Sequence, residues 1–91
     1  MDESVTENPA AHRFEMAVGD TIAAAYYRLE DGKVVLTHTE VPEQLSGQGL
    51  GSTLAAGVFR LIRESGRRVA IRCPFIAGWV SRHPEVEDLV G

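Results

Sequence analysis

Apolar positions change period twice along this chain. From His12 to Val18 the residues Phe14, Met16 and Val18 fall on alternate positions, the period of a half-buried strand. Gly19-Asp20 marks a turn. Thr21 to Glu30 reads as a second strand ending in Tyr26, Tyr27 and Leu29, although the alanines at 23–25 pull it towards helix. Asp31-Gly32 is a hairpin signal, because both central positions of a type I′ turn need positive φ. Lys33 to Val41, rich in β-branched residues, is the third strand. Pro42 and a glycine cluster end it. The period then becomes helical: Leu50, Leu54, Val58, Leu61 and Ile62 recur on one face, with Ala55 and Phe59 beside them. Gly66 fits the left-handed residue that closes such a helix, and Arg63, Arg67 and Arg68 suit its negative end. Arg67 to Cys73 is a fourth strand. Pro74 opens a short helix to about Arg82, with Phe75, Ile76 and Trp79 expected to pack inward. Pro84 breaks it, and Glu85 to Val90 forms one last turn.

The predicted order is β-β-β-α-β-α. The long helix between strands three and four is a crossover, so those strands are expected to be parallel neighbours behind an antiparallel three-stranded meander. The fold class is α+β, or α/β at its parallel end. Residues 1–11, acidic at Asp2, Glu3 and Glu7 and broken by Pro9, read as a flexible tail, and 12–91 as one domain.

Composition narrows the function classes. A net charge of −4 disfavours non-specific nucleic-acid binding, so no nucleic-acid partner is expected. Arg60, Arg63, Arg67 and Arg68 form one basic cluster, read as a solvated face rather than as a patch for an acidic partner. The single cysteine, Cys73, excludes an internal disulfide and fits a reducing compartment. No apolar run is long enough for a membrane helix, and the opening Met1-Asp-Glu-Ser lacks the features of a secretory signal. A cytoplasmic protein, monomeric or a weak homodimer, is expected. His38, Cys73 and His83 have no local zinc-ligand spacing, so no metal site is expected.

The chemistry concentrates in the glycine cluster between the third strand and the long helix. Glycine lets backbone approach a ligand, and the first N–H groups of a helix are free and lie at its positive end. A phosphate-bearing ligand is the first expectation, and a tight helix-capping loop that binds nothing is the alternative. A P-loop would need a lysine that is absent near residues 47–53, and a dinucleotide fingerprint would need a third glycine one position later. Gln44-Leu-Ser-Gly47-Gln-Gly49 matches Gln/Arg-x-x-Gly-x-Gly/Ala in full.

That pattern resembles the acetyl-CoA pyrophosphate loop of the GNAT superfamily of N-acetyltransferases. His38-Thr-Glu-Val-Pro-Glu43, the loop, Cys73-Pro-Phe75 and His83-Pro-Glu85, in that order, are similar to a small branch of the superfamily whose members are a single domain of roughly a hundred residues. The likeness covers residues 12–90. Two positions depart from the branch: Val86 replaces a usual aromatic, and Trp79 replaces a common tyrosine, which removes one candidate proton donor to a departing thiolate.

The resemblance implies a minimal GNAT-like fold and an acetyl-CoA or CoA ligand. Backbone N–H groups of Gln44, Leu45, Ser46, Gly47, Gln48 and Gly49, with Leu50, Gly51 and Ser52, would hold the pyrophosphate. The pantetheine amides would pair with the strand edge at Glu40 and Val41. His38 and Cys73, both expected near the carboxyl edge of the sheet, are the candidate catalytic groups. An imidazole suits a general base near neutrality, and a thiolate could itself accept the acetyl group. Each has a structural alternative: His38 shares a strand face with Val34 and Leu36 and could be a core-edge histidine, and Cys73 could be a small buried hydrophobe. The expected function is acetyl transfer to a primary amine of unknown identity. The alternative is a CoA-binding or interaction module with little or no catalysis, since so short a chain leaves no obvious acceptor pocket.

Overall fold

The computed structural model describes residues 5–43 and 49–91. Five strands form one sheet in chain order: β1 (Val5–Asn8), β2 (Arg13–Val18), β3 (Thr21–Glu30), β4 (Lys33–Glu40) and β5 (Val69–Ile71). The helices are α1 (Leu50–Ser65) and α2 (Pro74–Ser81), with 3₁₀ turns at Pro9–Ala11 and Pro84–Leu89. The first four strands are antiparallel, and β4 and β5 are parallel, joined by the α1 crossover. This is the expected α+β architecture with one strand added at its start.

Local chemistry explains most boundaries. Asp31 and Gly32 both take positive φ, 54° and 74°, which turns β3 into β4. Gly66 closes α1 in the left-handed region at φ 76°, its N–H donating to the Arg63 carbonyl. The alanines of β3 stay in a strand because they lie between two pairing partners and beneath α1. Ala23 and Ala25 are fully buried in one cluster with Leu54, Ala55 and Val58, and side chains this small let the helix sit close to the sheet. Phe14, Met16, Val34, Leu36 and Val69 complete the sheet side of that core, and Phe59, Ile62, Ile76 and Trp79 its helix side. Both helices therefore cover one face of the sheet, and no described helix covers the other.

The flexible-tail expectation fails from Val5 onward. Val5 to Asn8 pairs antiparallel with Met16 to Arg13. Val5 is buried against Gly57 of α1, where an added Cβ would lie 2.3 Å from the Val5 Cγ2. Glu7 pairs with Arg67 at 2.9 Å and accepts a hydrogen bond from the Tyr27 hydroxyl, while Asn8 donates to Glu15 at 2.9 Å. Glu7, the one described acid of that stretch, is matched by partners remote in sequence. Burial opposes ionisation of Glu7, yet the bonds from Tyr27 and Arg67 outweigh it and its pKa falls below the ordinary value. Burial and the neighbouring Glu7 push Tyr27 up to about 12.

Candidate functional site

The site follows from where β4 and β5 separate. Their ladder runs Val34↔Val69, Val35↔Ala70, Leu36↔Ile71, and its last tie is the Arg72 N–H donating to the Leu36 carbonyl at 2.8 Å. Beyond it the chain leaves β5 through Cys73 and enters α2 with Pro74 in the first turn, where the missing N–H of proline costs nothing. β4 continues to Glu40, paired only with β3. Among the described residues, the β5-facing edge of Thr37 to Glu40 has no ladder partner.

A bulge in β4 decides which groups meet there. Tyr27 pairs with Leu36 but Tyr26 pairs with His38, so Thr37 is the extra residue. One added residue exchanges the faces of everything after it. His38 therefore does not share the face of Val34 and Leu36, as the uninterrupted alternation predicts. It stacks on Tyr26, ring centroids 5.9 Å apart, on the face without helices. Its Nε2 lies 3.2 Å from one oxygen of Glu40, and the Tyr26 hydroxyl donates to the other at 3.5 Å. Arg13 donates to the same hydroxyl at 3.0 Å and to Glu15 at 2.6 Å. Thr39, one residue on, faces the helices instead, with its hydroxyl 3.2 Å from the Cys73 Sγ.

Cys73 is 4% exposed and belongs to the apolar core, whereas the His38 side chain is 60% exposed. The two candidate catalytic groups thus flank the end of β4 from opposite faces, and the structure does not bring them into contact. Val41 is half-buried against the core.

Of the glycine cluster, Gly49 and Gly51 are described, and Gly51 lies beside the first turn of α2. Gln44, Leu45, Ser46, Gly47 and Gln48 are outside the described residues. Gly49 takes a left-handed conformation, φ 74°, and α1 begins at Leu50. Gly51 answers to a neighbour: a Cβ there would lie 2.7 Å from the Cζ of Phe75. Ser52 accepts a 2.9 Å bond from the Trp79 indole and ties the two helices together. Phe75 does not pack inward as expected; it is 42% exposed, while Ile76 and Trp79 are buried. Neither first turn carries an acidic residue, and neither N-cap residue, Gly49 or Cys73, offers a side-chain bond to it.

His83 stacks on Trp79 at 3.8 Å, and Trp79 stacks on Phe59 at 5.4 Å. The His83 Nδ1 lies 2.8 Å from the Trp79 carbonyl, so this histidine finishes α2. A groove of about 430 Å³ runs beside that stack between Ala56, Arg60 and Val86. The basic cluster is held within the protein. Arg63 grips Asp88 at 2.8 Å, Arg67 grips Glu7, Arg60 approaches Glu64 at 3.5 Å, and Arg68 donates to the Val90 carbonyl. Among the described residues no group of histidine, cysteine and carboxylate side chains is arranged to hold a metal. No described helix is long and apolar enough to cross a membrane.

The sequence model of a GCN5-related N-acetyltransferase domain matches residues 13–89. The chain belongs to the GCN5-related N-acetyltransferases. The fold agrees. A GCN5-like N-acetyltransferase candidate from Staphylococcus aureus, solved in solution by NMR, superposes with a TM-score of 0.73 at 20% sequence identity, over 99% of this chain and 89% of that one. No curated protein sequence matches.

Within this GCN5-related domain, the pairing of Tyr26 with His38 and the bulge at Thr37 carry no mark in the sequence pattern. Phe75 belongs to a motif the sequence shows, but its outward position is signalled only by Ile76 and Trp79, three apart, which define the buried line of α2 and leave Phe75 on its flank.

Proposed function

We propose that this chain is an acetyl-CoA-dependent N-acetyltransferase acting on a primary amine. The supporting observation is the parting of β4 from β5 at the start of α2, whose Phe75 reaches Gly51 in the first turn of α1, with Cys73 and Thr39 on one face and His38 and Glu40 on the other. Acetyl-CoA fits this setting. The N–H groups of Leu50, Gly51 and Ser52 lie at the positive end of α1, its first turn carries no acid to oppose a phosphate, and the Gly49 conformation leaves open space around its Cα. The edge of β4 at Glu40 and the following Val41, without a ladder partner among the described residues, suits the amides of a pantetheine arm added like a strand. When bound, acetyl-CoA would supply an acyl group activated as a thioester.

The chain's own residues then divide the work. His38, exposed and oriented by Glu40 and by the Tyr26 ring, takes a proton from the attacking amine on the helix-free face. Cys73, beside Thr39, is on the cofactor side. In a covalent route its sulfur bonds to the acetyl carbon, the bond from that carbon to the CoA sulfur breaks, and the thiol proton leaves with CoA. The amine then displaces the cysteine sulfur, which recovers a proton. In a direct route Cys73 only packs.

The second reading is a CoA-binding module without catalysis. The separation of His38 and Cys73 onto opposite faces, with Cys73 buried, is the observation in its favour. Turnover of acetyl-CoA against polyamines, free amino acids and lysine peptides separates the two. Acetylated amine, with the rate falling in His38→Ala, supports the enzyme; binding without any acetylated product supports the module. Intact mass after incubation with acetyl-CoA, in wild type and Cys73→Ala, assigns the route. A thermal shift that neither CoA nor acetyl-CoA moves would sink both readings.

A further inference from the structure

Phe75 is a large apolar side chain left in solvent at the place where the candidate ligand must pass. Ile22 and Leu29, the other exposed large apolar residues among those described, lie near the ends of β3. Phe75 instead stands in the first turn of α2, two residues after Cys73, with the tip of its ring on the first turn of α1. An added Cβ at Gly51 would meet the Cζ at 2.7 Å and both Cε atoms at 3.3 Å. The ring therefore bridges the two helix N-termini. It stands between the N–H groups that suit a pyrophosphate and the sulfur that marks the acyl end. The part of acetyl-CoA spanning that interval is the pantetheine arm, whose dimethyl carbon is its most apolar portion.

We propose that Phe75 is the apolar wall that receives the pantetheine arm, and that Gly51 lacks a side chain so that the ring can lie there. This rests on the acetyl-CoA reading above and adds a specificity element to the same site. An exposed aromatic ring costs solvent ordering when no ligand is present, and covering it returns that free energy on binding. It also explains a glycine that the phosphate loop alone does not require. At Gly51 the backbone is ordinary helix, and what the site demands is space for the ring.

The test uses calorimetric titration of the full chain with three probes: acetyl-CoA, acetyl-pantetheine, and adenosine 3′-phosphate 5′-diphosphate, which lacks the arm. In Phe75→Ala, affinity for acetyl-CoA should fall about tenfold, the order expected for losing part of an aromatic contact, with the arm-less nucleotide unchanged. Gly51→Ala keeps the phenyl group but displaces it. It should weaken acetyl-CoA binding in the same direction while its melting temperature stays level or rises. Wild-type affinity for acetyl-CoA in both variants would overturn the proposal. An equal loss for the arm-less nucleotide would also overturn it, since the ring would then be shaping the phosphate site. Wild-type protein that binds none of the three probes overturns the acetyl-CoA reading itself, before any variant is compared.

Discussion

The two ends of α1 are built to opposite purposes. At the carboxyl end almost every group is committed. Gly66 returns its N–H to Arg63, Ser65 donates to the Ile62 carbonyl at 2.7 Å, and Arg63 holds Asp88 and the Glu85 carbonyl. Arg67 spans Ser65 and Glu7, which fastens β1 to the helix end. At the amino end a left-handed glycine leads in, the first turn carries no acidic residue, and an exposed phenyl ring lies across it. Among the described residues, α1 thus concentrates its side-chain bonds and ion pairs to the rest of the fold at its carboxyl end. Glycine shows the contrast in miniature. Gly57 makes room for Val5, a buried core residue, and Gly51 makes room for Phe75, an exposed one.

Substitutions along α1 can break this contrast. Phe59→Ala should have the largest effect, about 3–5 kcal/mol, because it empties a fully buried aromatic site beneath Trp79. Urea unfolding would measure it. A loss under about 1 kcal/mol would mean that the closed half of the helix is not carrying the fold. Gly57→Ala should come next. The new Cβ would fall 2.3 Å and 2.6 Å from Val5 carbons that have nowhere to move. Overpacking of about 1–3 kcal/mol should exceed the ~1 kcal/mol that alanine gains over glycine in a helix. Hydrogen exchange of the β1 amides should accelerate in step. The same change at Gly51 meets only the far end of a side chain free to swing, so there the helix-propensity gain of up to about 1 kcal/mol should survive. Opposite signs for one substitution at two positions of one helix would sharpen the comparison. Equal signs would remove it.

The sequence resolves the elements whose causes are local. β3 runs from Thr21 to Glu30 as its pattern predicts, Asp31-Gly32 turns as its chemistry requires, and α1 ends at the glycine that suits its cap. Causes that are distant in the chain are not legible there. β1 pairs with the nearby β2, but the contacts that fix it to the helix, Arg67 for Glu7 and Gly57 for Val5, lie some fifty to sixty residues away and leave no mark in residues 5–8. The face of His38 depends on one extra residue at Thr37, and nothing in Leu36-Thr37-His38 announces a bulge. At the candidate site, Cys73 sits at the start of α2 as the pattern puts it, but two residues beyond the end of β5 rather than within that strand. The neighbours that give it a setting, Thr39 beside the sulfur and Phe75 over Gly51, come from the meeting of two strands and two helices. Periodicity locates elements, but the contacts between them depend on register and on packing between layers.

The smallest expected effect separates the closed end of α1 from the open end by pH. Glu7 and Asp88 both tie into the closed end, and both have pKa values lowered from their ordinary ones. For Asp88 the Arg63 hydrogen bond is the main cause; for Glu7 burial opposes the shift and the Tyr27 and Arg67 bonds overcome it. A carboxylate whose folded pKa lies below its unfolded one adds stability that is complete above the unfolded pKa. That stability is lost as pH falls through the folded value. Acidification below the ordinary carboxylate pKa of 4.5 should therefore loosen β1 and the carboxyl end of α1. Tyr27 gives the mirror image. Its pKa is raised to about 12, so the folded state keeps its proton longer, and stability should decline as pH rises from the ordinary 10.0 towards that value. Glu7→Gln isolates the acid limb. Its urea midpoint should lie below that of wild type at about pH 7, and the gap should narrow as falling pH protonates wild-type Glu7. A gap that stays constant with pH would mean that the carboxylate charge of Glu7 contributes nothing, and that packing of Val5 alone holds β1 to the helix.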